Sequence, residues 1–149
     1  MTTPSRFILG LMVLTGATAG CGSSVPGIAK LVPVNGRVTV DGVPLTHGSL
    51  VFKPDAARGN SSPHEPLGEI DAQGQYRLVT AGHAGAPPGW YKVAVVAVEP
   101  VDPNHPYAAR PSLIDSRYGT TLTSGLEVEV VEAPHSGQYD LPLTNKTRR

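Results

Sequence analysis

Cysteine is almost missing from this chain: Cys21 is the only one in 149 residues. That excludes a disulfide framework, so stability has to come from a hydrophobic core. Charge of one sign is equally scarce. Lys and Arg together number 12, as do Asp and Glu, and both signs are scattered, which leaves no net charge. A nucleic-acid partner calls for a concentrated basic stripe, and the pair Arg148-Arg149 does not make one. Aromatic residues are only 5% of the chain, few for a surface that stacks on sugar rings. The apolar run Phe7–Leu14 is too short to span a bilayer as a helix. Past residue 20 no segment repeats apolar residues at helical spacing, and no internal repeat is visible. Residues 21–149 suit one domain of ordinary size.

What the first residues do carry is an export pattern. Arg6 precedes the apolar run, and the small residues Gly16, Ala17, Ala19 and Gly20 follow it. Thr18-Ala19-Gly20-Cys21 resembles the lipobox of bacterial lipoproteins, with Thr18 standing where Leu is usual. In that family signal peptidase II cuts just before a cysteine whose thiol carries diacylglycerol. The resemblance implies a signal peptide over 1–20, lipidation at Cys21, and a flexible tether over 21–32, rich in Gly, Ser and Pro. An unpaired thiol in an oxidising compartment is a liability, and lipidation caps it. Each buried CH₂ contributes about 0.8 kcal/mol, so more than one acyl chain holds a small domain at a membrane. Gly22 after the cysteine, where Asp would resemble an inner-membrane retention signal, allows outer-membrane sorting. The expected location is the bacterial cell envelope, lipid-anchored, at the outer membrane or on the periplasmic face.

The remainder reads as all-β. Gly (17) and Pro (15) punctuate short runs of alternating apolar residues. Val34–Val40 places Val34, Val38 and Val40 on one face, and Asp41-Gly42 supplies residues suited to a tight positive-φ turn. Further strands are expected at 49–53, 67–70, 75–80, 90–99, 126–130 and 139–143. The stretch Trp90–Glu99 is apolar on both faces, which predicts a central position, with Trp90, Tyr76 and Tyr91 in the core. Seven strands and no helix fold most economically as a two-sheet sandwich.

The residues 34–45, Val-Asn-Gly-Arg-Val-Thr-Val-Asp-Gly-Val-Pro-Leu, resemble the opening motif of carboxypeptidase-regulatory-like domains. Gly48–Pro54, Gly68–Tyr76 and Pro88–Val93 resemble the strands and turns that follow in the same family, in the same order. Arg117-Tyr118 followed by Ser124-Gly125-Leu126 is similar to a segment of small envelope lipoproteins that carry such domains. The resemblance covers residues 33–144, followed by a tail over 145–149. It implies a seven-stranded prealbumin-like (transthyretin-type, Cna-B-like) sandwich acting as an accessory or binding module, without catalysis and without a cofactor.

Other chemistry weighs less. Five histidines, His47, His64, His83, His105 and His135, fall in expected loops, and no pair shows a His-x-His spacing that would aim two imidazoles at one metal ion. Prealbumin-like hydrolases end in a Tyr-Arg-Gly-Ser tail, whereas residues 143–149 here read Leu-Thr-Asn-Lys-Thr-Arg-Arg. No Gly-x-Ser-x-Gly elbow is present. A transthyretin-like hydrolase or a carbohydrate-binding module is therefore the lesser expectation. Asp41, Asp71 and Asp140 read as turn caps rather than a calcium loop, and Arg37 stands where an isopeptide-forming lysine would be wanted. The sequons at Asn60 and Asn145 read as coincidence. The segment Pro100–Ser124 is long for a sandwich connection and is the candidate working surface, through His105, Tyr107, Arg110, Arg117 and Tyr118. Its bland reading is structural, with Tyr118 and Leu122 folding back over a sheet edge. The expected partners are the membrane, through Cys21, and an envelope protein or glycan; no nucleic acid is expected.

Overall fold

A computed structural model of the chain describes residues 28–145. The signal peptide, Cys21 and residues 22–27 lie outside the described residues, as do residues 146–149 of the tail. Val32, expected at the end of the tether, is already 5% exposed and bridges to Ala86, so the packed chain begins there.

The described chain is all-β. Its strands are β1 (Asn35–Val40), β2 (Val43–Pro44), β3 (Gly48–Pro54), β4 (Leu67–Ile70), β5 (Gln75–Thr80), β6 (His83–Ala84), β7 (Gly89–Val96), β8 (Leu126–Val130) and β9 (Leu141–Leu143). Two short 3₁₀ turns, Ala56–Arg58 and Ser116–Gly119, are the helical elements among the described residues. Nine strands replace the expected seven because two tight hairpins each add a two-residue partner. Asp41-Gly42 and Ala81-Gly82 both take positive φ at both positions, the backbone that closes a two-residue hairpin with the right twist. Val40 then pairs Val43, and Thr80 pairs His83. The Asp71 turn is capped by its own side chain, whose Oδ1 accepts from the N–H groups of Gln73 (2.9 Å) and Gln75 (2.8 Å).

The sheet runs β2-β1-β5-β4-β3-β7-β8 and curls, with β6 added to β5 and β9 to β1. Strand β1 makes the corner. Its first half, Asn35–Arg37, pairs antiparallel with β5, while its second half, Val38–Val40, pairs with β2 and, in parallel, with β9. The corner needs a residue without a side chain. A Cβ on Gly36 would overlap the carbonyl oxygen of Tyr139 and sit 2.8 Å from the Tyr76 ring.

Alternation then sorts the faces. On β5, Tyr76, Leu78 and Thr80 point inward while Gln75, Arg77 and Val79 point out. Leu50 and Phe52 of β3, Tyr91, Val93 and Val95 of β7, and Val128 and Val130 of β8 meet Val34, Val38, Leu141 and Leu143 in one core. Burying each such side chain contributes roughly 1.5–3 kcal/mol. Phe52 sits between two tyrosines, its ring centroid 6.2 Å from Tyr76 and 5.8 Å from Tyr91. Three buried hydroxyls of the core find carbonyl acceptors, as a dry interior requires. Tyr76 donates to the Tyr139 carbonyl (2.6 Å), Tyr91 to that of Pro87 (2.8 Å) and Thr80 to that of Gly85 (2.6 Å).

Two expectations about the long strand need correcting. It leaves the ladder after Val96, since Ala97 and Val98 turn toward the next segment and Val98 bridges Ser112. Trp90 is not core. It lies half-buried on the outer face, opposite Glu129, with the Arg58 guanidinium 4.0 Å over its ring.

The edges at β8 and β9 are covered by side chains. Along β8, Gln138 donates to the Glu129 carbonyl (3.1 Å), and the Tyr139 hydroxyl bridges the N–H and C=O of Val131 (both 3.2 Å). At the end of β9, the Tyr118 hydroxyl accepts from the Thr144 N–H at 3.0 Å. Tyr118 therefore does cover an edge, whereas Leu122 is 90% exposed and does not.

Candidate functional site

The ladders assign each loop to one of two ends. β7 starts beside the end of β8 (Gly89 opposite Val130), and the chain reaches it from Ala86, the partner of Val32. The chain's described start and the loops 55–66, 81–88 and 131–138 therefore share one end. The 97–125 segment leaves the far end of β7 and returns to the start of β8, so it occupies the opposite end together with the Asp41-Gly42 turn and Asn145. Eight residues of β7 separate the two ends, roughly 25 Å at about 3.3 Å per residue.

The five candidate residues of that segment form two groups. His105, Tyr107 and Arg110 lie on the exposed arm 99–111. There the His105 Nδ1 meets the Asp102 carboxylate at 2.9 Å, and Arg110 Nε donates to the Glu99 carbonyl at 2.7 Å. The contact with His105 and the N–H of Asn104 hold the Asp102 carboxyl below its usual range. The arm itself lines a pocket between Glu99, Val101, His105 and Arg110. Tyr107 is fully exposed.

Arg117 and Tyr118 instead serve the frame. Asp115 caps their 3₁₀ turn by accepting from the Arg117 N–H (3.0 Å). The Arg117 guanidinium donates to the Tyr118 hydroxyl (2.6 Å) and to the Thr144 carbonyl (3.1 Å) and hydroxyl (2.9 Å). Asn145 fastens the same loop by accepting from the Asp115 N–H at 2.8 Å. The Tyr118 side chain is 4% exposed, with its phenol engaged by Thr144 and Arg117.

These surroundings set opposite proton affinities. Burial pushes the Tyr76 phenol well above its ordinary value, with the Asp140 charge adding to it, and burial raises Tyr91 as well. Burial alone would also raise Tyr118, but the bonds from Thr144 and Arg117 and the guanidinium charge outweigh it and hold Tyr118 below its ordinary value. A raised folded value favours the neutral phenol, so the contribution of Tyr76 and Tyr91 to stability is complete below pH 10 and is lost as pH climbs past it. Followed by tyrosinate absorbance, an alkaline titration is expected to leave Tyr76 and Tyr91 silent until the fold opens. Tyr118→Phe should remove an early part of the rise and destabilise the domain by about 1–2 kcal/mol. An unchanged absorbance curve in that variant would contradict the assignment.

Three of the remaining polar candidates are engaged locally. His47 Nε2 lies 3.0 Å from the Val98 carbonyl, and Asp140 Oδ1 accepts from the Arg37 N–H at 2.9 Å. Asn60 is 7% exposed, its amide donating to the Trp90 carbonyl (2.9 Å) and its oxygen accepting from the Ser62 N–H (3.2 Å). A sequon held in that way has no free amide to carry a glycan in the folded chain. Among the described residues no three His, Cys, Asp or Glu side chains cluster as metal ligands, and no helix is long and apolar enough to cross a membrane.

One surface was not singled out by the sequence reading. On the outer face, Val79 of β5 pairs Leu67 of β4, Leu67 pairs Val51 of β3, and Val51 pairs Ala94 of β7. This apolar row crosses four strands, with Leu67 57% and Val79 41% exposed. The adjacent apolar pair Leu78-Val79, one residue for each face, was the available signal.

No family model, no curated protein and no solved structure matches this chain.

Proposed function

We propose that the protein is a lipid-anchored component of the bacterial cell envelope. A single prealbumin-like β-sandwich, held at the membrane through Cys21, presents its far end to an envelope protein or glycan and performs no catalysis. The observation that carries this reading is the separation of ends. The chain arrives at Val32 on one end of the curled sheet, and the 97–125 segment with Tyr107 occupies the other, roughly 25 Å away at strand spacing. A tether on one end leaves the opposite end free to meet a partner. The strand pairing supports the finer fold. Its seven longer strands follow one another as β9-β1-β5-β4-β3-β7-β8, the sheet turns at the corner in β1, and the first and last strands form a parallel pair. The motifs at 34–45, 48–54, 68–76 and 88–93 fall on those strands and the turns between them.

The test is a photo-cross-linker placed at Tyr107 in intact cells, compared with the same group at His83, which is exposed at the tether end. A discrete adduct from position 107, absent from position 83, is the expected result. Identical patterns from both positions would contradict the assignment of ends. Hydrolytic turnover that titrates with the amount of purified protein would replace the binding module with an enzyme.

A further inference from the structure

The exposed large apolar side chains sort by end. Of the large apolar residues that stand exposed, Val43, Val96, Val101, Tyr107 and Leu122 all lie toward the end that carries the 97–125 segment. Leu67 and Val79 do not. Leu67 is the first residue of β4 and Val79 the next-to-last of β5, so they stand side by side where the chain arrives from the tether. Val51, half-buried at the middle of β3, adjoins Leu67 on the side away from Val79.

We infer that this corner, Leu67 and Val79, rests in the interface of the bilayer that anchors the chain. The inference builds on the anchored reading above. From Cys21 to Val32 is about eleven residues; any chain of that length reaches at most about 40 Å when extended, and one of Gly/Ser-rich composition averages about 18 Å. The average is shorter than the sandwich itself, so the tether-side corner stays within touching distance of the lipid. Confinement of this kind raises the local concentration enough for a weak contact to persist. The rim is mixed in sign, with Lys53 and Arg77 against Glu65 and Glu69, all exposed. Contact therefore rests on apolar area rather than on attraction to anionic headgroups, and added salt should leave it intact. The domain stands on this corner with the Tyr107 arm directed away from the membrane.

The test uses the full lipidated chain in vesicles of phosphatidylethanolamine and phosphatidylglycerol. Acylated Cys21 offers no thiol, so Leu67→Cys, Val79→Cys and Tyr107→Cys each carry a single reactive site for an environment-sensitive fluorophore. Probes at 67 and 79 should emit to the blue, be quenched by nitroxide-labelled acyl chains and resist iodide, unchanged in high salt. A probe at 107 should behave as if in water. Leu67→Asp should abolish the blue shift at 79 in a protein that still floats with the vesicles. Floating protein with aqueous emission at 67 and 79 overturns the docked corner and leaves the anchor standing. Blue emission that appears only at high protein density, with energy transfer between copies, assigns the patch to a second copy and overturns the bilayer contact. Protein that does not float at all overturns the anchored reading and the docked corner with it.

Discussion

Phe52→Ala is expected to destabilise the domain by about 3–5 kcal/mol, the loss typical of removing a fully buried aromatic ring. Phe52 is 0% exposed and lies at the middle of β3, the strand joined to β4 on one side and β7 on the other. Its ring fills the space between Tyr76 and Tyr91, whose hydroxyls are fixed to the Tyr139 and Pro87 carbonyls. Those anchored tyrosines cannot move in to refill the space, so the cavity term adds to the transfer term. Natural domains have only about 5–15 kcal/mol of net stability. A midpoint lower by roughly 10–25 °C follows from a few degrees per kcal/mol. Leu122→Ala is the control, expected to change stability by less than about 0.5 kcal/mol, because that side chain is 90% exposed. A Phe52→Ala domain melting beside its parent would show that the core does not close around β3.

Cys21→Ser is expected to release the protein from membranes. A serine cannot carry the thioether-linked diacylglycerol, and stable anchoring needs its more than one acyl chain, each contributing about 0.8 kcal/mol per buried CH₂. The apolar corner around Leu67 could not replace that alone, since its side chains are few and already partly covered. In a flotation gradient the parent should rise with the lipid and the variant stay in the soluble fractions or keep an uncleaved signal. A processed Cys21→Ser protein that floats as the parent does would remove the anchor from the account.

Much of the fold was legible because alternation and turn chemistry are local. β4, β5 and β8 fall at 67–70, 75–80 and 126–130 as the period of two predicts, each bounded by a turn residue or a proline nearby. β2 and β6 were missed because a two-residue strand carries no period of its own. The Ala81-Gly82 turn that makes β6 requires positive φ at an alanine, which nothing in that residue announces. The long strand was read three residues too far because Ala97 and Val98 are apolar for a different reason, their contact with the returning segment at Ser112 and Leu113.

The candidate surface divides the same way. A long loop bearing His105, Tyr107 and Arg110 was visible from its prolines and length. That Arg117 and Tyr118 would be taken up by Thr144, 26 positions away for the tyrosine, depends on where β9 runs beside β1. The row Val79–Leu67–Val51–Ala94 depends likewise on the register of three ladders. A period of two says that a strand has two faces. It does not say which residues of other strands complete a row. Trp90 shows the cost of reading size as burial: its face is covered by Arg58 on the outer side of the sheet rather than by the core.

Everything proposed about orientation rests on fat attached to one sulfur, and the mass of the mature N-terminal peptide reads that directly. The expected peptide begins at Cys21 and carries diacylglycerol through its thiol, with residues 1–20 absent. A mature peptide that begins elsewhere, or that begins at Cys21 with a bare thiol, would contradict the account at its root.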